Sequence, residues 1–323
     1  MEYILFFLSF VMLFIGGDLL VRSSVSIALK MRISTLVVGM TVVSFATSAP
    51  ELFVSVKAAL AGITDITFGN VIGSNIANIT LVLGLTAIVF RINISREIKQ
   101  FHFPAMLTTS LLFGIVLYFF NEINLYIGLC FVFLLLLFIF LSIKKSRKEN
   151  LKNKIQEEIN SESTISIFKA VLFMVVGVLL LSFGADFLID GTTLIAKEFG
   201  FSERIIAVSL VAIGTSIPEL ATSLVAAFKK EENLAIGNLI GSNIFNILAV
   251  LGITSIIKPI SLSPINHEVV SFLNHPLFSD FCWMISITIL LGIFIYVMTK
   301  DTINHFEGFF LFSVYIVFIY LLF

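Results

Sequence analysis

The 323-residue chain contains little charge and only two cysteines. Charged residues make up 13% of the sequence, against roughly 25% in soluble domains. A net charge of −1 provides no basic surface for nucleic acids or acidic substrates. No G-x-x-x-x-G-K-[ST] loop is present, so nothing in the sequence points to ATP as an energy source. Cys130 and Cys282 both fall in apolar runs, which predicts thiols packed within a membrane.

Apolar residues dominate instead, at 58% of the sequence, with a mean hydropathy of +1.07. Runs of about 20 residues, the length that crosses a bilayer, recur along the chain. They cover residues 3–21, 34–62, 66–90, 104–121, 123–143, 166–189, 201–228, 233–257, 279–299 and 305–323. The sequence therefore predicts an all-α membrane protein with ten transmembrane helices, surrounded by lipid.

The basic residues lie mostly in alternate loops. Of the 20 Lys and Arg residues, sixteen lie in or just after the loops that follow odd-numbered runs, three (Lys197, Arg204 and Lys258) lie in or just after the loops that follow even-numbered runs, and Lys57 lies well inside a run. Because basic loops stay in the cytoplasm, we expect both termini to be extracytoplasmic in a cell membrane. The charged segment 144–165 then forms a cytoplasmic linker between a first half, 1–143, and a second half, 166–323.

The two halves repeat each other at an offset of 168 residues. TSAPEL at 47–52 matches TSIPEL at 215–220, and GNVIGSNI at 69–76 matches GNLIGSNI at 237–244. The two repeat motifs are residues 44–78 and 212–246. Because each half has five predicted spans, an odd number, the halves should cross the membrane in opposite directions. Two inverted five-helix repeats are typical of secondary transporters, with the substrate between them.

In each half a proline directly precedes a glutamate inside a span. Pro50 and Pro218 lack an N–H group, which frees a carbonyl oxygen of the preceding turn. Burying Glu51 and Glu219 inside a bilayer would cost several kcal/mol unless their charges are compensated, which makes them candidates for a functional site. Polar side chains share their helix faces at helical spacing. These are Ser44, Ser48 and Ser55 with the counterparts Ser216 and Ser223, and Asn70, Ser74 and Asn78 with the counterparts Asn238, Ser242 and Asn246.

This set offers carboxylate, hydroxyl, amide and carbonyl oxygens without His or Cys, which favours a hard cation such as Ca²⁺ or Na⁺ over Zn²⁺. Polar residues in spans also serve simply to pack helices together. That interpretation is as good as a functional one for Ser55, Ser223, Asn75 and Asn243. For the recurring Asp18 and Asp186 we expect packing or capping of helices.

These motifs resemble the cation/calcium exchanger superfamily, in its prokaryotic sodium/calcium exchanger branch. The resemblance covers nearly the whole chain and implies that helices two, three, seven and eight enclose the ions. The implied calcium ligands are the carboxylates of Glu51 and Glu219 and the backbone oxygens of Thr47 and Thr215. The implied sodium ligands are the same glutamates, the hydroxyls of Ser48, Ser74, Ser216 and Ser242 and the carbonyls of Ser44 and Ala212, with Asn78 and Asn246 nearby.

The resemblance further implies a transporter and not an enzyme, with the transported ions in place of a cofactor and no protein partner. Two positions depart from the family pattern. Ala46 stands where a Gly is usual, and Asn246 stands where some relatives have Asp. The short linker leaves no room for the calcium-sensing domains of eukaryotic relatives.

Other functions remain open from the sequence. A proton- or potassium-coupled cation exchanger could use the same scaffold, although the G-N-A-x-E pattern of the proton-coupled branch is missing. A cation channel would need a filter-like sequence, which we do not find. An intramembrane aspartyl protease would call for two Asp residues, whereas both acids here are Glu.

The charge pattern makes a testable prediction about orientation. In a variant without the native cysteines, Glu158→Cys should react with a membrane-impermeant maleimide only after the cells are permeabilised, whereas Glu2→Cys should react in intact cells. The reason is the excess of basic residues on the linker side. Labelling of the linker in intact cells would contradict the predicted orientation, but it would not affect the inference of two repeats.

Overall fold

Helices dominate the computed structural model, which describes residues 2–153, 165–198, 214–262, 271–298 and 301–322. Within these ranges seven helices are long and apolar enough to cross a membrane, or eight when one bent pair is counted as a single span. Helices are expected here because a lipid-exposed backbone must satisfy its own hydrogen bonds. The prediction of an all-α, multi-pass membrane protein is therefore confirmed.

We number the helices in chain order, joining pieces that continue one another. They are α1 (Glu2–Met31), α2 (Thr35–Thr47), α3 (Ala49–Ala61), α4 (Thr64–Val89), α5 (Ile98–Phe120), α6 (Leu125–Asn153), α7 (Ile167–Glu198), α8 (Ile217–Phe228), α9 (Glu232–Ile257), α10 (Leu277–Met298) and α11 (His305–Leu322). A 3₁₀ turn covers Phe272–Asn274. Four two-residue strands complete the structure: β1 (Ile92–Asn93), β2 (Glu122–Ile123), β3 (Ile260–Ser261) and β4 (Thr302–Ile303).

Several helices are longer than their apolar runs, and α1 and α6 show this most clearly. Helix α1 continues ten residues past the predicted end at residue 21, and the hydroxyls of Ser23 and Ser24 bond to the carbonyl of Leu20 inside it. Helix α6 continues to Asn153, into the predicted linker. Lys, Arg and Glu are good helix formers, so a helix does not have to end where its apolar run ends. The rest of the linker, 154–164, lies outside the described residues.

Asp18 lies in the interior of α1, so a capping role for it is wrong. Its carboxylate pairs with Arg22 one turn later, at 2.8 Å, and with Lys229 just after the end of α8. Cys130 and Cys282 are exposed on the outer surfaces of their helices. Their thiols therefore face the surroundings of the protein and not its core.

The predicted break in the second span is confirmed. Helices α2 and α3 meet at Ser48 with a bend of 43°, and Pro50 is the second residue of α3. Ser48 has φ −84° and ψ 7°, and Ser216 ahead of α8 has nearly the same values, −89° and 0°. The N–H of Ser48 still bonds to the carbonyl of Ser44 at 2.9 Å, so the chain turns without unwinding.

Helices α4 and α9 form the centre of the molecule. In each of them 83% of an apolar 18-residue stretch is buried inside the protein, against 28% in α6 and 22% in α7. Both contain a π-helical turn at matching positions, Asn78–Leu83 and Asn246–Leu251. Such turns are rare and often mark functional positions, because they change the direction in which the neighbouring side chains point. They begin at the two asparagines named above.

The short strands connect the first half of the chain to the second. Strand β1 pairs with β4 and β2 pairs with β3, both antiparallel. Helices α1 and α7 also pack along each other, with Gly16 against Gly177. A Cβ atom added to Gly16 would lie 2.8 Å from the carbonyl oxygen of Gly177. The two halves therefore contact each other both through helices α1 and α7 and through the short strands between helices.

Helix α9 approaches α2 so closely that only glycine fits at two positions. A Cβ atom on Gly241 would lie 2.6 Å from the Cα of Met40 and would also collide with the hydroxyl of Ser44. A Cβ atom on Gly237 would lie 2.5 Å from the carbonyl oxygen of Leu36. Added volume in such a contact pushes backbones apart.

We predict that Gly241→Ala destabilises the protein by roughly 1–3 kcal/mol through overpacking. The matched control is Gly73→Ala, at the corresponding position of the first half. Gly73 borders a cavity, and its added Cβ atom would meet no atom of the described residues within 4 Å. Thermal unfolding in detergent, followed by intrinsic fluorescence, measures both. Equal melting temperatures for the two variants would contradict the close contact.

Candidate functional site

Two glutamates lie at the centre of the site. Glu51 and Glu219 occupy the first turns of α3 and α8, each directly after its proline, and both side chains are fully buried. The hydroxyl of Ser48, three residues before Glu51, contacts Glu219, so the two acids belong to one site. Both carboxylate oxygens of Glu51, and Oε2 of Glu219, have no hydrogen-bond partner among the described residues. Two buried acids in one site, with no ion pair among the described residues, call for a cation or for protons.

Hydroxyl groups from both halves surround these acids. Ser48 and Ser242 each donate to Oε1 of Glu219 over 3.5 Å, a long and weak contact. The hydroxyls of Ser74 and Thr215 lie beside Glu51. Each carboxyl group therefore has hydroxyl groups of its own half and of the other half as neighbours.

The same threonine–serine contact occurs twice between the halves. Thr47 contacts Ser242 with 3.4 Å between the hydroxyl oxygens, and Ser74 contacts Thr215 at 3.3 Å. The offset of 168 converts one pair into the other. Thr47 donates in addition to Oδ1 of Asn238 at 3.2 Å. The repeat in the sequence is therefore also a repeat of contacts around one site.

Four asparagines form a second set of paired contacts. Nδ2 of Asn78 donates to Oδ1 of Asn243, and Nδ2 of Asn246 donates to Oδ1 of Asn75, both at 3.1 Å. All four side chains are at most 2% exposed. Asn75 and Asn243, for which the sequence left packing and function open, thus bond to Asn246 and Asn78, which the family resemblance places near the sodium sites.

The other candidate residues fall in the same region, with one exception. Ser44 donates its hydroxyl to the carbonyls of Gly39 and Asn238, at 2.8 and 3.0 Å, and its own carbonyl accepts from the N–H of Ser48 at the break. Ser216 is buried, and its hydroxyl has no partner among the described residues. Ala212 lies outside the described residues.

Asn70 supports the backbone next to the first glutamate. Its Nδ2 donates to the carbonyl of Glu51 at 3.1 Å and to the hydroxyl of Ser55 at 3.0 Å. Sequence reasoning placed Asn70 on the polar face of α4 but gave it no role. The signal was its position one turn before Ser74, on the face that packs against α3.

A cavity of about 1100 Å³ reaches the site from one side. It runs between α3, α4 and α7 and reaches Ser74 and Thr215, whereas Thr47 and Ser242 are not part of its lining. Asp186 and Lys57 border the same space. The cavity therefore reaches the two hydroxyls beside Glu51, whereas the described hydroxyls that contact Glu219 do not line it.

The ligand atoms offered here are oxygens. In the part of the chain that the structure describes, no group of three or more His, Cys, Asp and Glu residues could hold a metal ion. Two carboxylates combined with hydroxyl and amide oxygens fit a hard cation that is bound and released, because such ligands bind it less tightly than a cage of acids does.

Comparison with known proteins agrees with this geometry. The family described as "Sodium/calcium exchanger protein" matches residues 1–144 and 169–323. Inner membrane protein YrbG of Escherichia coli K12 is 32% identical over 277 residues, 83% of this chain and 84% of that protein. Sodium/calcium exchanger MaX1 of Methanosarcina acetivorans is 29% identical over 356 aligned positions, 100% and 98% of the two chains. Ca²⁺/H⁺ antiporter ChaA of Bacillus subtilis is 27% identical over 233 residues, 67% and 66%.

The fold matches a solved exchanger as well. A structure of the sodium-calcium exchanger NCX_Mj, soaked with 10 mM Na⁺ and without Ca²⁺, superimposes with a TM-score of 0.80 at 27% identity, covering 99% of this chain and 98% of that one. Fold and site together define a helical membrane transporter with a buried pair of acids between two matching halves. The chain belongs to the sodium/calcium exchanger family.

Proposed function

We propose that this protein exchanges Na⁺ for Ca²⁺ across the cell membrane by alternating access, with ten transmembrane helices in two inverted five-helix repeats. The observation that carries the proposal is the pair of buried glutamates, each flanked by hydroxyls of both halves. Ca²⁺ would bind the carboxylates of Glu51 and Glu219 and the backbone oxygens of Thr47 and Thr215. This set combines the charge and the oxygen donors that Ca²⁺ prefers.

Sodium would use the same acids in a different combination. Two Na⁺ balance the charge of two carboxylates, and each needs further neutral oxygen ligands. These would be the hydroxyls of Ser48, Ser74, Ser216 and Ser242, the carbonyls of Ser44 and Ala212, and the nearby amides of Asn78 and Asn246. Because the two ions share Glu51 and Glu219, they would compete for one site, and competition is what couples their transport.

The asymmetry between the two faces of the site supports alternating access. On one face α1 packs on α8, where a Cβ atom on Gly17 would lie 3.0 Å from Cγ2 of Val225. The offset of 168 relates this helix pair to α7 and α3, which the cavity separates. Exchanging the two arrangements would close the cavity and open the opposite face. With the predicted orientation, the cavity opens to the extracytoplasmic side.

A proton-coupled exchanger is the second candidate, favoured by the similarity to ChaA. A carboxylate pair can carry protons as well as metal ions. The hydroxyls around Glu51 and Glu219 favour sodium, because a proton carried by a carboxyl group needs no ring of oxygen ligands. Transport assays with imposed Na⁺, H⁺ or K⁺ gradients distinguish the two functions directly.

We predict that Glu51→Gln and Glu219→Gln each reduce sodium-driven ⁴⁵Ca²⁺ uptake into proteoliposomes to background, while the protein stays folded. An amide removes one of the two charges that compensate a desolvated divalent ion. Ser55→Ala is a suitable control, because its hydroxyl accepts from Asn70 and does not contact either acid. Near wild-type uptake by either Gln variant would show that the site is elsewhere.

Charge counting predicts that exchange is electrogenic and independent of K⁺. Among the described residues, the only formal charges at the centre are those of Glu51 and Glu219, since Asn78 and Asn246 are neutral amides. The family resemblance implies three Na⁺ per Ca²⁺, so one net charge would move in each cycle. A membrane potential then contributes about 2.3 kcal/mol per charge per 100 mV. Potassium-dependent relatives have an acid at the position of Asn246.

The measurement uses calcium flux in proteoliposomes. Potentials are first set with K⁺ and valinomycin, and flux is then assayed without ionophore after choline replaces K⁺. We expect flux that changes with voltage and persists in choline. A flux indifferent to voltage, or one that stops without K⁺, would contradict the charge count.

A further inference from the structure

The asparagines Asn78 and Asn246 each present two chemically different ends. A side-chain amide has an oxygen that can bind a cation and an NH₂ group that repels it, and the two ends have nearly the same shape. Both residues lie one helical turn after a site serine, Ser74 or Ser242, and both are fully buried. If these amides face the ion, their hydrogen-bond partners must determine whether the oxygen or the NH₂ group points toward it.

The orientation of the Asn246 amide is set by contacts of Asn75. Nδ2 of Asn75 points to the backbone carbonyl of Asn243 at 3.4 Å and to Sδ of Met284 at 3.7 Å. A carbonyl oxygen and a thioether sulfur only accept hydrogen bonds, so the nitrogen of Asn75 must face them. Its oxygen then faces Asn246 and accepts from Nδ2 of that residue at 3.1 Å.

The same chain of contacts recurs in the other half. Nδ2 of Asn243 points to Sδ of Met106 at 3.6 Å, and its oxygen accepts from Nδ2 of Asn78 at 3.1 Å. Met106 and Met284 lie in α5 and α10, which occupy matching places in the two halves. In each half a methionine sulfur, which can only accept, fixes the orientation of one asparagine, Asn75 or Asn243. That asparagine in turn fixes the orientation of its partner, Asn246 or Asn78.

The outcome is two buried oxygens left without a donor. Oδ1 of Asn78 and Oδ1 of Asn246 have no hydrogen-bond partner among the described residues. A buried carbonyl oxygen without a donor is unfavourable, so its occurrence at two repeat-related positions points to a positive charge as the missing partner. The shape of each amide alone would allow either orientation.

We infer that Asn75 and Asn243 are positioning residues, which hold the amide oxygens of Asn246 and Asn78 toward the bound sodium. The inference rests on the proposed function, since it assumes that the ion between Glu51 and Glu219 is sodium for part of the cycle. Neither Asn75 nor Asn243 has to touch the ion. Removing one of them frees its partner amide to rotate its NH₂ group toward the site.

The test is a double-mutant cycle in purified protein, with Na⁺ binding read as the shift in melting temperature over a NaCl titration and choline chloride as the ionic-strength control. We expect Asn75→Leu to raise the half-saturating Na⁺ concentration roughly tenfold. In an Asn246→Asp background the same substitution should cause no further rise. A carboxylate has an oxygen at both ends, so its orientation no longer matters. A merely structural role would produce the same rise in both backgrounds.

Thr80→Val is the matched control, because Thr80 is equally buried in the same helix but bonds only to the carbonyl of Ile76. Its half-saturating Na⁺ concentration should equal that of the wild type. If Asn75→Leu does not fold, Asn75→Ser gives the same test, since a serine hydroxyl can bond to the preceding turn and is too short to reach Asn246.

The outcomes separate the two proposals. A wild-type protein stabilised by neither Na⁺ nor Ca²⁺ overturns the proposed function and this inference with it. A wild type that binds Na⁺, combined with equal losses from Asn75→Leu in the two backgrounds, overturns the positioning role alone. An unchanged half-saturating concentration in Asn75→Leu does the same.

Discussion

Two carboxyl groups that have no counter-charge inside the protein set the conditions for the rest of this structure. Glu51 and Glu219 are fully buried, and no Lys or Arg of the described residues forms an ion pair with either. An isolated buried carboxylate is unfavourable by several kcal/mol, so the pair is stable only with a cation or protons present. The bend at Ser48 and the hydroxyls of both halves present oxygen atoms to these acids, and we infer the same for the paired amides.

Much of this arrangement could be predicted from the sequence. Apolar runs located the helices, and the 168-residue repeat brought Glu51 and Glu219 together with Thr47, Ser74 and Ser242, because equivalent residues of a repeat meet at its interface. What the sequence could not supply was contact between particular atoms. The π-helical turns at Asn78 and Asn246, and the direction in which each amide points, depend on neighbours such as Met284 that lie far away in the chain.

Helix ends were the least predictable feature. Hydropathy indicates which residues are apolar enough to lie in lipid, whereas a helix ends where its backbone groups no longer have hydrogen-bond partners within the helix. Helices α1 and α6 therefore continue through Arg22 and Lys144, past the ends of their apolar runs. The same limitation affected Asp18, which the end of an apolar run placed at a helix terminus but which forms ion pairs within a longer helix. Its counterpart Asp186 borders the open cavity instead.

The pairing of strands across the halves bears on how such a chain could arise. Strand β1 pairs with β4 and β2 with β3, and each asparagine and threonine contact at the site also crosses from one half to the other. Neither half on its own contains both members of any of these pairs. Under the proposed inverted arrangement, an ancestral gene encoding one half could have built a complete site only from two copies inserted in opposite directions. Fusion of two such genes then fixes one copy in each direction and lets the two sequences diverge, as Ala46 and Gly214 have done at equivalent positions.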